Sequence, residues 1–196
     1  MSNISIKIKR GDMARLRKSL EAYPKEAPKI LSRAINKTTT TARTQAVREI
    51  SADTKLKQSD IYKAGRGKNN AVIQSKATYS NPSATISVTR GRIPLSRFKA
   101  RQTKKGVGYD LGQGKKTIKS AFKVRMASGH EGVFVRSSRR NEKGRQIISE
   151  KFGPSLPHVF TGEAKIVKNT VKIANRLLSK NIETQVNLVL ERKRAK

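Results

Sequence analysis

The side chains of this chain that could do chemistry are overwhelmingly cationic. They crowd into two runs, Arg90-Gly-Arg-Ile-Pro-Leu-Ser-Arg-Phe-Lys-Ala-Arg-Gln-Thr-Lys-Lys105 and Arg136-Ser-Ser-Arg-Arg-Asn-Glu-Lys-Gly-Arg145. Runs of this kind neutralise phosphates or carboxylates, and each phosphate contact steepens the salt dependence of binding. The candidate contacts are Arg90, Arg92, Arg97, Lys99, Arg101, Lys104 and Lys105 in the first run. In the second they are Arg136, Arg139, Arg140, Lys143 and Arg145. Both runs read as loops between strands, although a basic loop in a basic protein is usually a solvated connector. Only Phe98 interrupts the first run with an aromatic ring, so a stacking platform for single strands is not indicated. No recognition helix, zinc finger or RRM signature accompanies them. Any grip on nucleic acid therefore works through backbone charge, without sequence readout.

Catalytic constellations fail their tests. The chain has no cysteine, which excludes a disulfide scaffold, a thiol nucleophile and every zinc site that needs sulfur. With His130 and His158 as its two imidazoles, a multi-histidine metal centre is excluded too. Gly112-Gln-Gly-Lys-Lys-Thr117 invites a phosphate-loop reading, but Tyr109 stands where the first glycine belongs. Lys116 takes the place of the magnesium-binding Ser or Thr. A Gly-rich loop between strands is the better account. His130 beside Glu131 is the one acid/base pair worth weighing, and neighbours along a strand point apart. The acids are scattered singly, so paired carboxylates are missing. The expectation is a non-enzyme without metal or cofactor.

The 196 residues carry 45 Lys plus Arg against 13 Asp plus Glu, a formal net charge of +32. A charge of that size implies a polyanionic partner, a neutralising neighbour in an assembly, or both. Between Asp60 and Asp110 no acid occurs at all. Hydrophobic residues reach 35% and are spread along the chain, so a core forms, but a lean one with 5% aromatics and no Trp. Neither a signal peptide nor a run of about 20 apolar residues is found, which points to a soluble protein made in the cytoplasm.

The elements that must hold these side chains follow from periodicity. Ile4, Ile6 and Ile8 alternate with polar residues as in a half-buried strand, and Asp12 caps a short helix through Met13, Leu16 and Leu20. Apolar residues from Ile30 to Ile50 recur at helical spacing, which predicts a long helix from about Lys25 to Ala52. The threonines Thr38 to Thr41 weaken its middle and read as a solvent-facing turn, with a close small-residue contact as the alternative. Ser59 to Lys63 reads as one further helical turn, ended by Gly65-Arg66-Gly67. Strands are expected at Ala71 to Thr78, Ala84 to Thr89, Arg92 to Arg97, Gly106 to Leu111, Ala121 to Met126, Gly132 to Arg136 and Gln146 to Lys151. After Thr161 as N-cap, a helix of about seven turns runs to the basic end. The order implies an α+β fold, a mixed or antiparallel β-sheet packed against a long N-terminal helix and a long C-terminal helix. One domain is expected, with strand and helices over 1–65, a β-rich basic region over 66–160 and the C-terminal helix over 161–196.

Ala34-Ile-Asn-Lys-Thr38 with Ala42-Arg-Thr-Gln-Ala-Val-Arg-Glu-Ile50 is followed by Arg92-Ile-Pro-Leu-Ser-Arg-Phe-Lys-Ala-Arg-Gln-Thr-Lys-Lys-Gly-Val107. Ala121-Phe122, Met126-Ala-Ser-Gly-His-Glu-Gly-Val-Phe-Val-Arg136 and Phe152-Gly-Pro-Ser-Leu-Pro157 come next. In this order along most of the chain, these blocks resemble the minor tail protein Z family of long-tailed bacteriophages and prophages. The resemblance implies a virion structural protein that completes the tail at its head-proximal end, supporting head–tail joining and DNA placement. It implies tail terminator, tube and neck proteins as partners, genomic DNA in the channel held by non-specific electrostatics, and no membrane. A homo-oligomeric ring follows by analogy, six-fold as tail and neck rings commonly are. The resemblance carries no catalytic residues. The alternative is a free, non-sequence-specific nucleic-acid-binding or compacting protein, and an enzyme using His130 and Glu131 stands third.

Overall fold

The computed structural model describes residues 2–7, 11, 14, 16, 18, 21, 23–64, 71–89, 91–112, 114–162 and 164–195. Ile8, Asp12, Met13, Leu20, the Gly65–Gly67 stop and Arg90 lie outside them. The chain divides into two compact units. The first combines Met1–Val47, Val72–Thr89 and Phe160–Lys196, and the second combines Arg48–Ala71 and Arg90–Val159.

In the first unit the isoleucine alternation forms strand β1 (Ser2–Lys7), with Ile4 and Ile6 buried and Ser5 and Lys7 exposed. β2 (Val72–Ser75) and β3 (Ser83–Val88) complete an antiparallel sheet of order β1-β3-β2. Ile4 faces Ile86 and Ile6 faces Ala84, so the register keeps apolar side chains on one face. Helix α1 (Ala27–Thr54) begins two residues later than its pattern predicts, because a 3-10 turn, Pro24–Glu26, occupies its entry. Pro24 presets φ there and needs no donor. Its residues beyond Val47 belong to the second unit.

The threonine run corrects the sequence reading in half its length. Thr40 and Thr41 are solvent-facing, but Thr38 and Thr39 are fully buried. Thr39, Thr40 and Thr41 hydroxyls donate to the carbonyls four residues back, at 2.7, 2.9 and 3.2 Å. These bonds satisfy the hydroxyls within the helix, which continues through the run. Asn36 supplies a further tie. Its Nδ2 donates to the Ala77 carbonyl at 3.0 Å, and its Oδ1 accepts from the Ala77 amide at 2.8 Å, pairing backbone that has left β2.

The last helix of this unit, α4 (Ala164–Arg194), runs 31 residues and buries Ile166, Thr170, Ala174, Leu178, Ile182, Val186 and Val189 along one side. It packs on its own chain, against α1 through Thr38 and Asn181. Thr161 is not its cap. That residue lies inside a preceding helix, α3 (Leu156–Gly162), which also holds His158 in helix rather than turn.

The second unit holds α2 (Gln58–Lys63) and two more antiparallel sheets. One is β4 (Arg101–Thr103), β5 (Gly106–Asp110) and β6 (Lys115–Lys119). The other is β7 (Ala121–Arg125), β8 (Glu131–Arg140) and β9 (Gln146–Glu150). The Gln102 side chain ties them: its Nε2 donates to the Gly106 carbonyl at 3.1 Å, and its Oε1 accepts from the Lys123 amide at 2.8 Å. Ile50, Leu56, Ile61, Ile93, Leu95, Phe98, Val107, Val133 and Leu156 make the core. Among the described residues the architecture is thus α+β with two long helices, and the β-structure is divided among three small antiparallel sheets.

Candidate polyanion-binding surface

Three of the sequence blocks meet in the second unit. Residues 92–97, expected as a strand, instead make an isolated bridge, Pro94 with Phe152, and a 3-10 turn, Leu95–Arg97. Pro94 cannot extend a ladder in which its amide would be needed. The Leu95 amide donates to the Lys151 carbonyl and the Gly153 amide to the Ile93 carbonyl, both at 3.0 Å. Ser96 Oγ donates to the Glu131 carbonyl at 3.0 Å, and the Lys151 amide to that of Val133 at 2.8 Å. Phe98 is fully buried, and its ring lies where a Cβ on Gly153 would fall. Glycine is the residue that this approach admits.

Beside this junction opens a cleft of about 980 Å³, lined by Asp60, Lys63, Arg92, Arg97, Arg125, His130, Glu131 and Ser155 among others. Its acids are already engaged. Asp60 forms an ion pair with Arg97 at 3.6 Å, and the Glu131 carboxylate accepts from Lys123 Nζ at 2.6 Å. The hydrogen bond from Lys123, and then its charge, hold the Glu131 carboxyl below the usual carboxylate range, with Arg97 and Arg125 adding to the effect. Among the described residues no ion pair reaches Lys63, Arg92 or Arg125, so the cleft presents cations to an incoming anion. The guanidinium of Arg92 lies 5.7 Å from the centre of the Phe152 ring, which braces it.

His130 and Glu131 do not form the pair considered from their adjacency. His130 Nε2 lies 2.8 Å from Glu150 Oε1 across the sheet, with the edge of Phe134 beside it. That partner is 20 residues away and is found only once β8 and β9 are in register. Residues 115–117 of the glycine-rich segment enter strand β6, so no helix N-terminus follows the glycines as a phosphate loop requires. Among the described residues no group of three His, Cys, Asp or Glu could hold a metal. No helix among them is long and apolar enough to cross a membrane.

The second basic run is a hairpin rather than a loop, and the first enters one from Arg101 onward. Arg101 lies on β4, Lys104 and Lys105 form the tight turn into β5, and all three are exposed. Lys99 is exposed at a φ of 51°, just after the 3-10 turn. Arg136, Arg139 and Arg140 lie on β8, and Lys143 and Arg145 on the turn into β9. Asn141 Oδ1 organises that turn by accepting the amides of Lys143 and Arg145 at 3.1 and 2.9 Å. Arg140 Nη1 donates to the Gly144 carbonyl at 2.7 Å, and the Arg136 guanidinium stands 5.1 Å from the Phe122 ring centre. Residues 138–149 are exposed on both faces. The outer half of β8 carries no apolar alternation, which is why it reads as a loop, whereas β9 lies within the strand expected at Gln146 to Lys151. Eleven of the twelve candidate contacts are described, and all eleven belong to the second unit; Arg90 is the twelfth. Lys63 and Arg125 also line the cleft and are not among the twelve candidates. Only their place in the acid-poor stretches of sequence could have signalled them.

Among curated proteins and solved structures the chain has no significant match. The family model of prophage minor tail protein Z matches residues 14–195. With nearly its whole length matched, the chain belongs to the prophage minor tail protein Z family, a family of phage tail structural proteins.

Proposed function

We propose that this chain acts late in tail assembly, at the head-proximal end of the tail, where it supports head–tail joining and the placement of genomic DNA. It assembles in the host cytoplasm as a homo-oligomeric ring, six-fold by analogy, against tail terminator, tube and neck proteins. The observation that carries the reading is the β8–β9 hairpin. A two-stranded ribbon with both faces in water is marginal by itself. This one exposes Ile147 at 45% and Ile148 at 39% beside Arg139, Arg140, Lys143 and Arg145. Adjacent isoleucines point to opposite faces of the strand, so both faces offer apolar surface to a protein neighbour. The cations at the tip meet DNA in the channel or an acidic face of that neighbour.

Deletion of the gene from a phage or prophage that carries it tests this. The expected result is DNA-filled heads and full-length tails that accumulate unjoined, visible by negative-stain microscopy. Normal particles, or an absence of tails altogether, would overturn the reading. The alternative of a free nucleic-acid-compacting protein draws support from the excess of cations in both units, which divides almost evenly between them. It predicts a chain that co-purifies with bulk nucleic acid and is missing from finished particles.

A further inference from the structure

The first unit carries a cationic surface to which none of the readings above assigns a contact. On α4, Lys165, Lys168, Lys172, Arg176 and Lys180 are all exposed and recur at intervals of three or four residues. At 3.6 residues per turn they fall within a sector of about 120°, spaced by about 6 Å along an axis length of about 22 Å. The buried side, Ile166, Thr170, Ala174, Leu178 and Ile182, lies opposite. Within the sector the gaps are filled by Asn169 and Ser179, so no apolar side chain interrupts the row.

Helix chemistry does not account for this row. Like charges at three- or four-residue spacing destabilise a helix, and acids placed between them would reverse the sign. No acid occurs on α4 before Glu183. The macrodipole favours cations at the C-terminal end, which explains Arg192, Lys193 and Arg194 in the last turn but opposes a row that begins at the N-terminal end. Among the described residues none of the five has an ion-pair partner. On α1, Lys29, Arg33 and Lys37 repeat the four-residue spacing, also exposed and also in the N-terminal half.

We infer that the exposed face of α4 is a second polyanion-binding surface, and that its ligand is the phosphate backbone of duplex DNA. A protein partner would ask for an apolar centre to the contact, which this sector lacks. A DNA duplex presents one negative charge per about 1.7 Å of axis, so a straight row of this length meets several phosphates without reading any base. The inference rests on the proposed DNA contact, which it extends from the hairpins of one unit to a helix of the other.

The test compares two triple variants of the full chain with the same loss of charge, K168Q/K172Q/R176Q and R192Q/K193Q/R194Q. Binding to a duplex of arbitrary sequence is followed by fluorescence anisotropy as salt is varied. Gln is a good helix former, and all six positions are exposed, so both variants are expected to keep the helical circular dichroism of the parent. The row variant should lower the log–log salt slope by up to about 2.7, and the end variant by less than about 1. Equal changes in the two, or none in the row variant, would overturn the proposal. If the slope is instead lost in R139Q/R140Q/K143Q/R145Q alone, the row falls and the DNA contact of the hairpin stands. If the parent chain binds no duplex, both fall together. Retained duplex binding by the row variant with lost binding to an acidic tail protein also overturns it, in favour of a protein ligand.

Discussion

Asn181 Nδ2 donates a hydrogen bond to Thr38 Oγ1 at 2.9 Å, joining two buried side chains that stand 143 residues apart. The bond fastens the C-terminal helix to the centre of the N-terminal one, at the spot where a run of threonines looked weakest. Replacing Asn181 by Ala should destabilise the first unit by about 1–3 kcal/mol, because the hydroxyl left behind is cut off from water. A double-mutant cycle with Thr38→Ala should return a coupling of about 0.5–3 kcal/mol in chemical denaturation. Additive effects would mean that the contact contributes nothing as a pair.

Gly153→Ala should be poorly tolerated. Its new methyl group would run into the buried Phe98 ring, and the backbone there is pinned to Ile93. Overpacking of this kind costs about 1–3 kcal/mol. The double variant with Phe98→Leu should recover part of the loss, as read by the thermal midpoint.

Glu131 gives the pH dependence. Its carboxyl titrates lower in the folded chain than in the unfolded one, owing to Lys123. Its contribution is present above the ordinary carboxylate pKa and is lost as the pH falls through the lowered value. Lys123→Gln should move the Glu131 titration upward toward the ordinary range, as followed by NMR of the side-chain carboxyl. An unmoved titration would assign the shift to other groups.

Legibility followed the direction in which side chains face. Ile4 and Ile6, and the spacing from Ile30 to Ile50 and from Ile166 to Val189, have one wet side and one dry side, so period reveals element. β4, β6 and the outer half of β8 are wet on both sides, and their sequences carry no period to read. The threonine run misled because propensity describes an isolated helix, whereas Thr38 is held by Asn181 and Thr39 by its own helix. The basic surface was legible as composition. The pairings His130–Glu150, Asp60–Arg97 and Lys123–Glu131 depend on strand register and on turns that no local pattern specifies.

Asp60→Asn should strengthen anion binding at the cleft. It releases Arg97 from its partner at 3.6 Å and removes a negative charge from the lining. An exposed pair contributes up to about 1 kcal/mol, so the gain in affinity for a short duplex should reach about fivefold at low salt and vanish at high salt. Unchanged affinity would remove the cleft from the binding surface.

The double variant I147S/I148S separates folding from assembly. Both positions are exposed, so stability should change by no more than about 0.5 kcal/mol. Incorporation into particles should drop severely, as measured by immunoblotting of purified virions from a complemented deletion strain. Full incorporation would show that the ribbon meets no protein neighbour.

The chain order of the first unit sets when it can exist during synthesis. Its sheet waits for β3 to reach β1, and its core stays open until α4 emerges and covers it. The second unit, by contrast, has its whole sequence in hand by Val159. A chain cut short before α4 therefore leaves the buried side chains of β1 and α1 without their cover, and Thr38 without its partner.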